Sequence, residues 1–227
     1  MKKIIVSLVV VLSAVCSVVN AQEVKLAQDS VKFSGKGEIG SQKNSLLTGN
    51  RFNKKPFASI SLTASYEDFS FSVARCSDLL DETSGANFFA FTPSWGRSFG
   101  KYDISASLEF DFFDVQTQNN LVAPYIYITR NGGVNIEAMV TYGWCFKGGT
   151  LDSEMLAVSK SYQGYTVKGY IWNVTWGSNQ QNSALEISKN LSDKIKLSVY
   201  GHLTDIFEKN GNMSYFGALR LGYSFNE

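Results

Sequence analysis

The sequence predicts an all-β chain folded as a transmembrane, antiparallel, up-and-down β-barrel of twelve strands. Three observations carry that reading. The first is alternation, clearest in Lys101–Phe113: Tyr102, Ile104, Ala106, Leu108, Phe110 and Phe112 share one parity, while Asp103, Ser105, Ser107, Glu109 and Asp111 share the other. Successive side chains of a strand point to opposite faces, so one face is apolar and the other acidic and hydroxylic. A tilted strand crosses a bilayer in roughly 9–11 residues, the length of this segment. The second observation is that short connections alternate with long ones, as periplasmic turns alternate with outer loops in such barrels. The third is that aromatics gather at strand ends (Tyr66, Phe69, Trp95, Tyr102, Trp144, Phe146, Tyr162, Tyr165, Trp176, Tyr223, Phe225), where the two membrane interfaces would lie. A soluble periplasmic β-sandwich also alternates, but it has no need of aromatic belts at both ends.

The chain opens with Met1-Lys2-Lys3, an apolar run over Ile4–Val19, then Val19-Asn20-Ala21 before Gln22. A basic start, an apolar middle and a small residue at the cut describe a secretory signal peptide over 1–21. The competing reading is a lipoprotein signal centred on Cys16, whose neighbours Ser13 and Val15 fit a lipid-attachment site poorly. Residues 22–30 are polar and read as a periplasmic lead-in, and residues 31–227 as the barrel. Beyond Ala21 no apolar run approaches the ~18 residues of a spanning helix. Removing Lys2 and Lys3 from 21 basic residues leaves 19 against 20 acidic ones, a net charge near −1. That balance gives no reason to expect nucleic acid as a partner.

The elements follow in order. Val31–Ile39 alternates weakly and completes an even strand count. Gly40–Pro56, rich in Gly, Asn, Ser and basic residues, is a loop. Phe57–Tyr66 and Phe69–Arg75 form a hairpin around Glu67-Asp68, with serines and Thr63 on one face. A loop over Ser77–Ala86 precedes Asn87–Arg97, where Pro93 argues mildly against a central strand. Gly100 turns the chain into Lys101–Phe113, and Asp114–Asn120 is a loop. Leu121–Arg130 is apolar on both parities, so its facing is open. Asn131-Gly132-Gly133 is a strong hairpin turn into Val134–Phe146, with Glu137 and Thr141 on the polar face. Asp152–Tyr162 and Tyr165–Trp176 flank Gln163-Gly164, and Lys160 and Lys168 leave their facing open. Gly177–Asn182 reads as a polar loop. Ser183–Asn190 and Lys194–Thr204 flank Ser192-Asp193, Asp205–Asn212 is the last loop, and Met213–Phe225 closes the chain.

Cys76 and Cys145 fall on inward positions four strands apart. Strands lie about 4.8 Å apart, so the pair exceeds the ~7 Å Cα limit of a disulfide, and free thiols are expected unless the barrel is collapsed.

The final strand, Tyr215-x-Gly217-x-Leu219-x-Leu221-x-Tyr223-x-Phe225, resembles the C-terminal signal read by the outer-membrane barrel assembly machinery, with Asn226 and Glu227 trailing the aromatic that usually ends it. A second resemblance spans about Leu47–Phe113. Gly49-Asn50-Arg51-Phe52-Asn53-Lys54-Lys55-Pro56, a hairpin, an acidic loop, Ser98-Phe99-Gly100-Lys101-Tyr102-Asp103 and an aromatic-rich strand are similar to the TorF-type family of outer-membrane porins. The resemblance implies a small porin-like barrel and supplies no catalytic residues.

The functional expectation is a passive diffusion channel for small polar solutes or ions in a bacterial outer membrane, among lipids and lipopolysaccharide. Asp103, Glu109, Asp111, Glu137, Glu186, Lys196, His202 and Arg220 are the pore-lining candidates. Such charges either set ion preference or pair across the wall, as Glu186 and Lys196 could on neighbouring strands. No spacing of carboxylates matches a calcium site, and no cofactor or metal is expected. Two rival readings stand: an outer-membrane lipid hydrolase using His202, the sole histidine, with Thr204 two residues on; and a closed barrel whose outer loops bind a partner.

Overall fold

In the computed structural model the chain is a closed barrel of twelve antiparallel strands, each bonded to its sequence neighbours and the last to the first. The described residues are 31–42, 47, 55–80, 87–113, 120–176, 178–204 and 214–226; side chains 176, 178, 204, 214 and 226 fall outside that description. The signal peptide and lead-in read over 1–30 lie outside it, as do most of the loops before Phe57, after Leu80, after Phe113 and after Thr204.

The strands are β1 Lys32–Gly40, β2 Phe57–Tyr66, β3 Phe69–Asp78, β4 Phe88–Phe99, β5 Tyr102–Phe113, β6 Leu121–Arg130, β7 Asn135–Cys145, β8 Thr150–Tyr162, β9 Tyr165–Trp176, β10 Ser178–Asn190, β11 Ile195–Thr204 and β12 Ser214–Asn226. The weak first segment is a strand. It pairs with β2 on one side and with β12 on the other, from Ser34↔Asn226 to Gly40↔Arg220. Closure leaves no free edge, which is the condition for a sheet to sit in hydrocarbon.

Turn chemistry sets the short end. Gln163 and Gly164 have φ of 49° and 79°, both left-handed, as the tight hairpin between β8 and β9 requires. Gly132 N donates to Asn135 Oδ1 at 3.0 Å in the turn between β6 and β7.

Outward positions carry the apolar parity throughout. Val140, Ile171, Val199 and Leu219 are all more than half exposed, as lipid-facing side chains are in a chain without its bilayer. Phe69, Phe99, Tyr102, Tyr162 and Tyr223 belt the short-turn end; Phe112, Trp144, Phe146 and Tyr215 belt the other. The open facings resolve. On β6, Leu121, Ala123, Tyr125 and Tyr127 point in, and Val122, Pro124, Ile126 and Ile128 point out. Lys168 points in and Lys160 out.

Several boundaries differ from expectation: β4 runs on to Phe99, and β8 begins at Thr150. Ser77 and Asp78 extend β3. The segment read as a polar loop over Gly177–Asn182 is mostly strand: Ser178–Asn182 pairs with Trp172–Trp176. Its polarity has a positional cause. The outer ends of β8, β9 and β10 carry Asp152, Glu154, Asn173, Thr175, Asn179 and Gln181 outward, beyond the apolar band, where a strand faces water on its outside. Pro93 also sits inside β4, and the ladder to β5 skips a step there, resuming at Ser94↔Ser107 after Phe91↔Phe110. Proline cannot donate to a ladder, and the gap accommodates it.

Candidate functional site

The interior of the barrel is the site, and its two walls differ. Along β2 to β5 the inward side chains are small and hydroxylic: Ser59, Ser61, Thr63, Ser70, Ser72, Ser94, Ser105 and Ser107, all half-buried. Thr63 and Ser72 share a hydrogen bond of 2.7 Å, and Ser107 Oγ donates to Ser94 Oγ at 2.8 Å. Small side chains leave volume in front of them, and hydroxyls keep that volume wettable.

The opposite wall, β6 to β12, is bulky. Tyr170 and Trp172 stack at 5.1 Å with planes 7° apart. Trp172, Tyr200, His202 and Phe216 pack together, the His202 and Phe216 ring centres 4.7 Å apart. His202 is 2 % exposed, enclosed in this aromatic cluster on the inner face and turned away from lipid.

Below the aromatics, toward the short turns, lies a charged network. Lys168 Nζ sits 2.6 Å from Glu137 Oε2, and the Tyr127 hydroxyl donates to that same carboxylate. Lys168 and Glu137 belong to β9 and β7, with β8 between them. They meet because β8 presents only Ala157 and Ser159 inward at that level. Glu186 accepts from Tyr170 OH at 3.0 Å and Ser198 Oγ at 3.0 Å, and pairs with Lys196 Nζ at 3.1 Å, the cross-strand pairing its register anticipates. Arg220 lies 3.9 Å from Glu38 Oε1, donates to the Gln42 carbonyl and covers the Tyr200 ring at 4.6 Å.

Toward the outer end the interior tightens. Phe57, Cys76, Phe88, Asp111, Leu121, Cys145, Leu151, Val174, Asn182 and His202 are buried there, on successive strands from β2 to β11. Leu47, from the connection between β1 and β2, is 3 % exposed and packs into the cluster formed by Leu121, Met139, Leu151, Met155, Trp172 and Val174. Ser153 Oγ donates to its carbonyl oxygen. Leu47 therefore lies against the wall of β6 to β9 at this point. Cys76 and Cys145 are both buried, on β3 and β7, and are not joined by a disulfide.

Glu109, Asp111, Glu137, Glu186, Lys196, His202 and Arg220 all occupy inward positions. Asp103 is inward in parity but exposed at the short-turn rim, where it accepts from Ser98 Oγ and Asn131 Nδ2, both at 2.6 Å. It joins two turns. The parity of β6 and β9, unresolved in the sequence, conceals Lys168, Tyr127, Tyr170 and Trp172, and no sequence signal marks Leu47.

No protein-family model matches the chain, and no curated protein matches it in sequence. Its similarity lies in structure. The KdgM porin superposes with a TM-score of 0.61 at 11 % identity, covering 85 % of this chain and 98 % of that one. The NanC porin gives 0.56 at 11 %, covering 86 % and 99 %. The COG4313 outer membrane channel from Pseudomonas putida F1 gives 0.56 at 10 %, covering 90 % and 100 %. The shared fold is that of outer-membrane porin-like barrels.

Proposed function

We propose that this protein is an outer-membrane porin-like channel of the TorF type, admitting small polar solutes or ions by passive diffusion. The observation that carries the reading is the half-exposed hydroxyl wall of β2 to β5 inside a barrel whose outside is apolar. A barrel built only as a scaffold has no reason to leave that side unfilled. The aromatic cluster and the Glu137–Lys168 and Glu186–Lys196 pairs narrow the bore from the other side, so the route runs along the serines. On this reading the pore-lining residues are Glu109, Asp111, Glu137, Glu186, Lys196 and Arg220, with His202 packed into the aromatic wall beside them.

The lipid-hydrolase alternative gains nothing from the geometry: His202 is enclosed by Trp172, Tyr200 and Phe216 on the inner face. The reading carries its companions as proposals: cleavage after Ala21, delivery to the outer membrane through the C-terminal strand and its assembly machinery, and lipopolysaccharide around the outer rim. Purified barrel in a planar bilayer tests it. Discrete conductance steps are the expected result. A silent bilayer from correctly folded protein overturns the channel, and lipid release by wild type but not His202→Ala would put the hydrolase in its place.

A further inference from the structure

We infer that Glu109 and Asp111 form a cation-binding step in the lumen, which makes the channel prefer small monovalent cations to anions; this rests on the channel reading above. The two residues are i and i+2 on β5 and share the inner face. Among the described residues nothing basic answers them. Asp111 stands between Ala90 of β4 and Leu121 of β6, and Glu109 stands beside Ala123. The inward positions of β4 near them are Phe88, Ala90, Thr92 and Ser94, and those of β6 are Leu121, Ala123, Tyr125 and Tyr127. Tyr125 and Tyr127 are the titratable groups among them, and neither is basic.

Three other inward acids are each matched to a cation among the described residues. Glu38 has Arg220, Glu137 has Lys168 and Glu186 has Lys196. Lys32 and Lys36 face inward on β1 but lie toward its short-turn end, away from the pair. The matched acids are spent on the protein's own cations and the β5 pair is not.

A second observation points to a ligand. Asp111 is 3 % exposed, and its Oδ1 has no hydrogen-bond partner among the described residues. A buried carboxylate oxygen is costly to leave unmade. A cation that binds the pair meets two carboxyl groups on one face of β5, with the hydroxyls of Ser107 and its register partner Tyr125 supplying neutral oxygen on the same inner face. Oxygen ligands of this kind suit hard cations, and a ring or step of carboxylates inside a pore selects for positive charge.

The test is the reversal potential of single channels under a potassium chloride gradient. Wild type should favour K⁺ over Cl⁻. Replacing both groups by their amides, Glu109→Gln with Asp111→Asn, should lower the permeability ratio by about threefold or more, and Asp111→Asn alone should lower it partway. Folding of each variant is read separately, from its heat-dependent mobility on a detergent gel, and the single amide serves if the double fails to assemble. A wild-type channel without cation preference, or a double amide that keeps the preference, overturns the inference and leaves the channel standing. A silent bilayer from folded wild type overturns both.

Discussion

The ring of Phe225 on β12 lies across Gly35 on β1. The two are register partners at the seam that closes the barrel, and a Cβ at residue 35 would stand 2.3 Å from two atoms of the ring. Leu62 of β2 would stand 3.1 Å away on the other side. The aromatic of the last strand thus covers the backbone of the first at a position where only glycine leaves room, a cross-strand pairing known to stabilise sheets.

Gly35→Ala should force the ring to swing off the seam, and Phe225→Ala should remove it. Each should cost about 1 kcal/mol. The double variant should cost no more than Phe225→Ala alone, because the clash disappears with the ring. Denaturant unfolding of the refolded barrel in lipid vesicles measures all three; strict additivity of the two losses would mean that the residues do not interact.

Residues 107 and 108 of β5 point to opposite sides. Leu108 belongs to the lipid-facing parity, while Ser107 faces the lumen and donates to Ser94. An arginine near the midplane of the lipid face costs about 2–4 kcal/mol, whereas one in a wet lumen keeps its water. Leu108→Arg should therefore impair assembly and Ser107→Arg should not. The fraction of protein showing heat-shifted mobility after refolding reports the difference, and equal losses would contradict the facing.

How much of this was legible before the structure depends on the strand. On β5 and β7 one parity is apolar and the other polar, so the alternation alone states which side meets lipid. β6 and β8 to β9 do not separate this way, because their inward faces carry Ala123, Met155, Trp172 and Val174, which build the packed outer half of the lumen. An apolar interior erases the contrast on which the reading depends. The two-residue turn at Gln163-Gly164 held the missing information. Residues flanking such a turn share a face, and Tyr162 pairs with Tyr165. With both aromatics outward in the girdle, Lys160 must point out and Lys168 in.

Asn179–Asn182 failed for a different reason. Polarity was taken for a loop, although β9 offers ladder partners as far as Trp176. Leu47 could not have been found by any periodicity, since it belongs to no strand and its place is set by contacts with residues about 75 to 125 positions further along the chain, from Leu121 to Trp172.

Leu47 supplies the last prediction. Its side chain is seated in an apolar pocket on the wall of β6 to β9, with its carbonyl held by Ser153. Leu47 itself therefore occupies part of the lumen at the outer end. Leu47→Asp places an ionised group where no partner exists, and a buried unpaired charge is expelled to water sooner than tolerated. Leaving that pocket moves the segment off the wall. Single-channel conductance should rise, by about 1.5-fold or more if this is the narrowest point of the route. Leu47→Met, which keeps volume and polarity, should leave it near the wild-type value. Ser153→Ala removes one anchoring hydrogen bond and should give an intermediate increase. An unchanged conductance in Leu47→Asp, with the barrel folded, would place the conducting path elsewhere than past this residue.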